Sequence, residues 1–134
     1  MKATDYGKCA LLALAIMIAN VLCSVLVMVV YSYVIEPGHD AAFYEAAATN
    51  IAPWSSVVFG MPLFYGVARY CARGRPDRNA NAFAIAIVLV YASIDVTALA
   101  FAGCTVAQAG IVALSLGTKL AAALLGARTG SGVR

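Results

Sequence analysis

Residues 81–104 read NAFAIAIVLVYASIDVTALAFAGC, an apolar run that holds a single acid, Asp95. About 20 apolar residues are enough for a helix to cross the hydrocarbon of a bilayer. An aspartate near the centre of such a helix costs about 2.5–3.5 kcal/mol to insert, while each Leu, Ile, Phe or Val contributes about 0.3–0.6 kcal/mol in favour. The run carries enough of these to insert regardless, and its acid then faces protein or water rather than lipid. The face around it fits: Val88, Tyr91, Ala92, Asp95, Ala98, Leu99 and Ala102 fall at i+3/i+4 spacing. Ala92, Ala98 and Ala102 are small, which lets another helix approach closely, and Tyr91 sits one turn away from Asp95, placed to donate to the carboxylate.

The rest of the chain has the same character. Of 134 residues 63% are hydrophobic and 11% charged, whereas a soluble domain is about 45–50% apolar and about 25% charged. A chain this short cannot bury so much apolar surface within itself, so the bilayer is its expected solvent. The reading is an all-α integral membrane protein, a single domain over 1–134 with spans at 9–35, 51–72, 81–104 and 106–127. An outer loop is expected at 36–50, a cytoplasmic loop at 73–80 and a disordered, glycine-rich tail at 128–134.

The first span follows a short polar lead and resembles a secretory signal only at its start. A signal's apolar core ends after about 7–15 residues. Here it continues through Val25–Val30, and Asn20-Val21-Leu22-Cys23 has Leu where a lipobox needs a small residue. Asn20, Ser24 and Tyr31 fall on one face of this helix.

In the outer loop, Glu36-Pro37-Gly38 breaks the helix, and Asp40 is expected to cap a short interfacial helix, Ala41–Ala48. Glu36, His39, Asp40 and Glu45 gather there, but with one histidine they read as solvated loop charges rather than a metal site. Thr49 or Asn50 is expected to cap the second span, whose Pro53 fits a first helical turn and whose Trp54 fits the membrane interface. Pro62 is expected to kink that span, with Gly60 and Gly66 allowing close approach of a neighbour. Gly110, Ala113, Gly117 and Ala121 give the fourth span a small-residue face for packing within the bundle or against another copy.

The basic residues set the orientation. Lys2 and Lys8 precede the first span, Arg69, Arg73, Arg75 and Arg78 lie between the second and third, and Lys119, Arg128 and Arg134 belong to the end of the fourth. All lie on one side of a four-helix bundle, so both termini are expected in the cytoplasm of a bacterial-type inner membrane. That distribution also argues against nucleic-acid binding, for which basic residues should cluster on one polar face. Cys9, Cys23, Cys71 and Cys104 show no metal-ligand spacing and read as small apolar fillers.

At 1.5 Å per residue, Asp95 lies about 20 Å above the cytoplasmic start of its helix, Ser24 and Ser56 about 22 Å, and Asn20 about 16 Å. These are candidate polar partners at one level. Lys119 begins only about 12 Å from its cytoplasmic end and is expected to snorkel to the headgroups, the alternative being that its long stem carries it into the buried polar site to pair with Asp95.

Three function classes follow. An accessory, assembly or structural membrane subunit acting through helix packing heads them, with the bilayer and a second copy or another membrane protein as partners. The alternative is an oligomeric small-solute or ion-coupled permease that uses Asp95 as its buried protonatable group. An intramembrane enzyme ranks last, since no Ser/His, Cys/His or paired-acid set falls at one depth and no cofactor is implied.

Overall fold

A computed structural model describes residues 3–74, 79–103 and 106–132. The order is α1 (Ala3–Val30), which passes into a π-helical turn (Tyr31–Ile35), then α2 (Ala41–Arg73), α3 (Ala80–Ala102) and α4 (Val106–Gly130). All four α-helices are long and apolar enough to cross a membrane, the make-up of a multi-pass membrane protein. Large apolar side chains such as Leu11, Leu22, Leu26, Leu89 and Leu125 are more than half exposed, as a lipid-facing surface requires.

The helix ends follow local chemistry. Asp40, in an extended conformation, accepts a bond from Phe43 N at 3.0 Å and starts α2. Asn79 does the same for α3 through Ala82 N at 3.1 Å. Gly103 ends α3 with φ of 77°, a left-handed conformation that glycine adopts without steric cost.

Three boundaries differ from the sequence reading. First, α1 begins at Ala3, so Asp5 and Lys8 lie on the helix, not in a polar lead. Second, Ala41–Ala48 is not a separate helix: α2 runs unbroken for 33 residues, through Pro53 and Pro62. Thr49 and Asn50 do not cap a new helix; both bond back to Ala46 O, at 2.7 and 3.3 Å. Nothing between Ala41 and Asn50 breaks a helix, and its alanines favour one. Third, α4 extends through Arg128, Thr129 and Gly130, where a disordered tail was expected. The basic turn 75–78, Cys104 and the last two residues lie outside the described residues, as does Lys2.

Around the bundle, α1 contacts α2 and α3, and α4 contacts the same two, so the helices follow each other as α1, α2, α4, α3. The α2–α4 pair is the most extensive, and glycines explain why. A Cβ on Gly126 would overlap the Tyr65 carbonyl oxygen and lie 3.1 Å from Tyr65 Cα; one on Gly130 would overlap the Arg69 carbonyl oxygen and lie 2.8 Å from Ala72 Cβ. Backbone therefore meets backbone along Gly126-xxx-Gly130.

By contrast, among the described residues Gly66, Gly110 and Gly117 have no neighbouring atom within 4 Å of a would-be Cβ, and Ala113 and Ala121 are exposed. The small-residue face expected to pack thus points away from the bundle. The working glycines lie one turn or more further along α4, plus Gly60 on α2.

The core sits in the half of the bundle that carries Lys8, Arg69, Arg73 and Arg128. It is built from Cys9, Ala13 and Ile16 on α1, Phe64 and Ala68 on α2, Phe83, Ala84, Ile87, Val88 and Tyr91 on α3, and Ala122, Ala123 and Ala127 on α4. Towards the other end this packing stops and the helices part around a cavity.

Candidate functional site

At the boundary between packed core and cavity, four polar side chains from four helices form a closed ring. Asn20 Nδ2 on α1 donates to Ser56 Oγ on α2 at 2.8 Å and to Tyr91 OH on α3 at 3.2 Å. Lys119 Nζ on α4 donates to the same two oxygens, at 2.8 and 3.1 Å. The ammonium also lies 4.5 Å from the Tyr91 ring centroid, a cation–π distance. Phe64 meets that ring edge-on, with centroids 5.1 Å apart.

Lys119 is 0% exposed and Tyr91 2%. The expectation that Lys119 snorkels to the headgroups is therefore overturned. Two features direct it the other way. Helical Cα–Cβ bonds lean towards the helix N-terminus, and the N-terminus of α4 lies at the end away from the arginines. Gly60 then leaves the lane the stem needs: a Cβ there would overlap Lys119 Cε and lie 3.2 Å from Cγ and 3.4 Å from Cδ.

Beside the ring, Ser24 Oγ lies 2.6 Å from Ser55 Oγ and donates to Asn20 O at 3.2 Å. Of Asn20, Ser24, Ser56 and Asp95, the four expected at one level, Asn20 bonds Ser56 and Ser24 bonds Asn20 O, while Asp95 bonds none of the three. Tyr91, however, bonds Asn20 and Lys119 rather than Asp95. Among the described residues Asp95 has no hydrogen bond and no salt bridge, though Lys119 and Asp95 lie within each other's electrostatic field.

Asp95 instead borders the cavity, of about 660 Å³, together with Asn20, Ser24, Ser56 and Ser115. Val21, Val25, Met28, Leu99, Ile111 and Val112 make the wall largely apolar. Tyr44 borders it as well, and its hydroxyl donates to Glu36 O at 2.7 Å, tying the connection between the π-turn and α2 to the first turn of α2. Among the described residues two buried polar atoms at this wall, Asn20 Oδ1 and Ser115 Oγ, lack a hydrogen-bond partner.

Ser115 and Ser55 were not singled out from the sequence. Ser115 precedes Lys119 by one turn and so shares its face, a signal that was available. In the loop, Glu36 and His39 pair at 3.4 Å, His39 stacks on Phe43 at 4.0 Å, and Asp40 is used as a cap. Among the described residues no three His, Cys, Asp or Glu side chains gather as metal ligands. Among the described residues no disulfide joins Cys9, Cys23 and Cys71 to one another.

No protein-family model, curated protein or solved structure matches this chain.

Proposed function

We propose that the protein is a carrier of small solutes, taking its ligand into the cavity bordered by Asp95. The cavity carries this reading. A space of about 660 Å³ lies in the range of small-molecule sites, about 300–1,000 Å³, and combines apolar walls with a few polar groups as such sites do. An intramembrane carboxylate without a partner is costly and is a functional candidate by default.

The setting completes the proposal. Lys8, Arg69, Arg73 and Arg128 share one end of the bundle, which supports cytoplasmic termini in a bacterial-type inner membrane. A 33-residue helix is about 50 Å long, well beyond the hydrocarbon thickness of about 30 Å. The first turns of α2, with Phe43 and Tyr44, then lie in the interface. The chain acts as one membrane domain.

A specific observation favours a second reading beside it. The exposed face Gly110, Ala113, Gly117 and Ala121 suits self-association or a membrane-protein partner, as an accessory subunit would use. A carrier with four helices needs such a second copy to enclose a path.

Proteoliposomes holding a trapped pH dye test the carrier. Addition of short amines, carboxylates or alcohols in turn is expected to give a protein-dependent dye response for one class, abolished in Asp95→Asn. Traces equal to those of empty liposomes for all three classes would sink the proposal.

A further inference from the structure

The chemistry of the cavity wall specifies its ligand further, given the reading of it as a binding site. Among the described residues the wall has one charged group, the Asp95 carboxylate, and no Lys, Arg or His. Lys119 is not at the surface of the cavity. It lies behind Ser56, with two of its N–H groups already given to Ser56 and Tyr91 and its stem laid over Gly60. An anion entering the cavity would meet a carboxylate at the wall while the ammonium stays occupied behind it.

The unfilled atoms point the same way. Among the described residues Asp95 has no hydrogen-bond donor, Asn20 Oδ1 has none, and Ser115 Oγ has no partner of either kind. Ser115 is 4% exposed and Asn20 5%, so water outside the bundle does not satisfy them. What the site lacks is a donor with positive charge. What its walls offer besides is apolar contact, from Val21, Val25, Leu99, Ile111 and Val112.

We infer that the cavity binds an amphipathic organic cation, a protonated amine whose N–H groups meet Asp95 and Ser115 and whose apolar body lies against α1 and α4. A charge-assisted hydrogen bond to a carboxylate in a low-dielectric setting is among the stronger polar contacts available. Lys119 then serves the empty state, its field offsetting the unpaired carboxylate when no ligand is bound. Among the described residues the Asp95 side chain makes no hydrogen bond, so Asp95→Asn removes the charge that Lys119 feels but no hydrogen bond.

The full chain in lipid nanodiscs is titrated with naphthylmethylamine, using its fluorescence, and with the matching naphthyl alcohol and naphthyl carboxylate. Saturable binding of the ammonium is expected, at least about tenfold tighter than either analogue, and weakened about tenfold or more in Asp95→Asn. Val112→Trp, which fills the cavity without touching a charge, is expected to abolish it. Ser115→Ala is expected to weaken the amine several-fold and leave its trimethylated form, which has no N–H, unchanged. Tighter binding of the carboxylate, no binding of the amine, or equal binding in Asp95→Asn overturns the inference. Amine binding without flux leaves it standing and removes the carrier; flux of an anion or alcohol without amine binding does the reverse.

Discussion

Gly60 and Lys119 occupy one space: the lysine stem lies where a side chain on residue 60 would be, with Cγ 3.2 Å from the position of such a Cβ. The absence of one methyl group on α2 thus decides where the ammonium of α4 ends up. That displaced ammonium closes the ring with Ser56, Tyr91 and Asn20.

Gly60→Ala is therefore expected to push Lys119 off Ser56 and Tyr91 and to destabilise the fold by about 1–3 kcal/mol, the usual cost of overpacking. Gly66→Ala is the control. It meets no atom within 4 Å and should be neutral or stabilising by up to about 1 kcal/mol through helix propensity. Unfolding midpoints in mixed micelles separate the two, and equal midpoints would remove Gly60 from the account of Lys119.

Tyr91→Phe takes one of two hydroxyl acceptors from a fully buried ammonium. The expected cost is about 1–3 kcal/mol, because the donor is left buried and unsatisfied. In a Lys119→Met background that donor is gone and the cost should fall. A double-mutant cycle measures the difference, with a coupling of about 0.5–3 kcal/mol expected for groups in one network. Strict additivity contradicts the bond.

Gly126→Ala and Gly130→Ala place a methyl against backbone carbonyls of Tyr65 and Arg69, which cannot swing aside as a side chain can. Each should cost about 1–3 kcal/mol or force α2 and α4 apart. Gly110→Ala and Gly117→Ala should leave the fold intact, since both positions are open. Crosslinking between cysteines placed on α2 and α4 checks this: efficiency should drop for the first pair and not for the second.

Asp40→Ala removes the side-chain cap of α2, the bond from Phe43 N at 3.0 Å. A loss of about 0.5–2 kcal/mol is expected. Hydrogen exchange should report it as faster exchange confined to residues 41–44, and uniform protection there would show the cap to be dispensable.

Composition was enough to give four helices long and apolar enough to cross a bilayer, because free energies of transfer add along the chain. Helix depth, counted at a fixed rise, put Asn20, Ser24, Ser56 and Asp95 near one level, and the first three do meet, since depth in a membrane is a one-dimensional quantity. What the helices face is not. The stripe Gly110, Gly117, Ala121 and the pair Gly126, Gly130 look alike in sequence, and only the rotation of α4 against α2 turns one away from the bundle and the other onto Tyr65 and Arg69. The same rotation, with the lean of a side chain towards its helix N-terminus, carries Lys119 into the bundle instead of out to the headgroups. It also leaves Asp95 without Tyr91, at the edge of a cavity that exists because four helices pack closely at one end and part at the other.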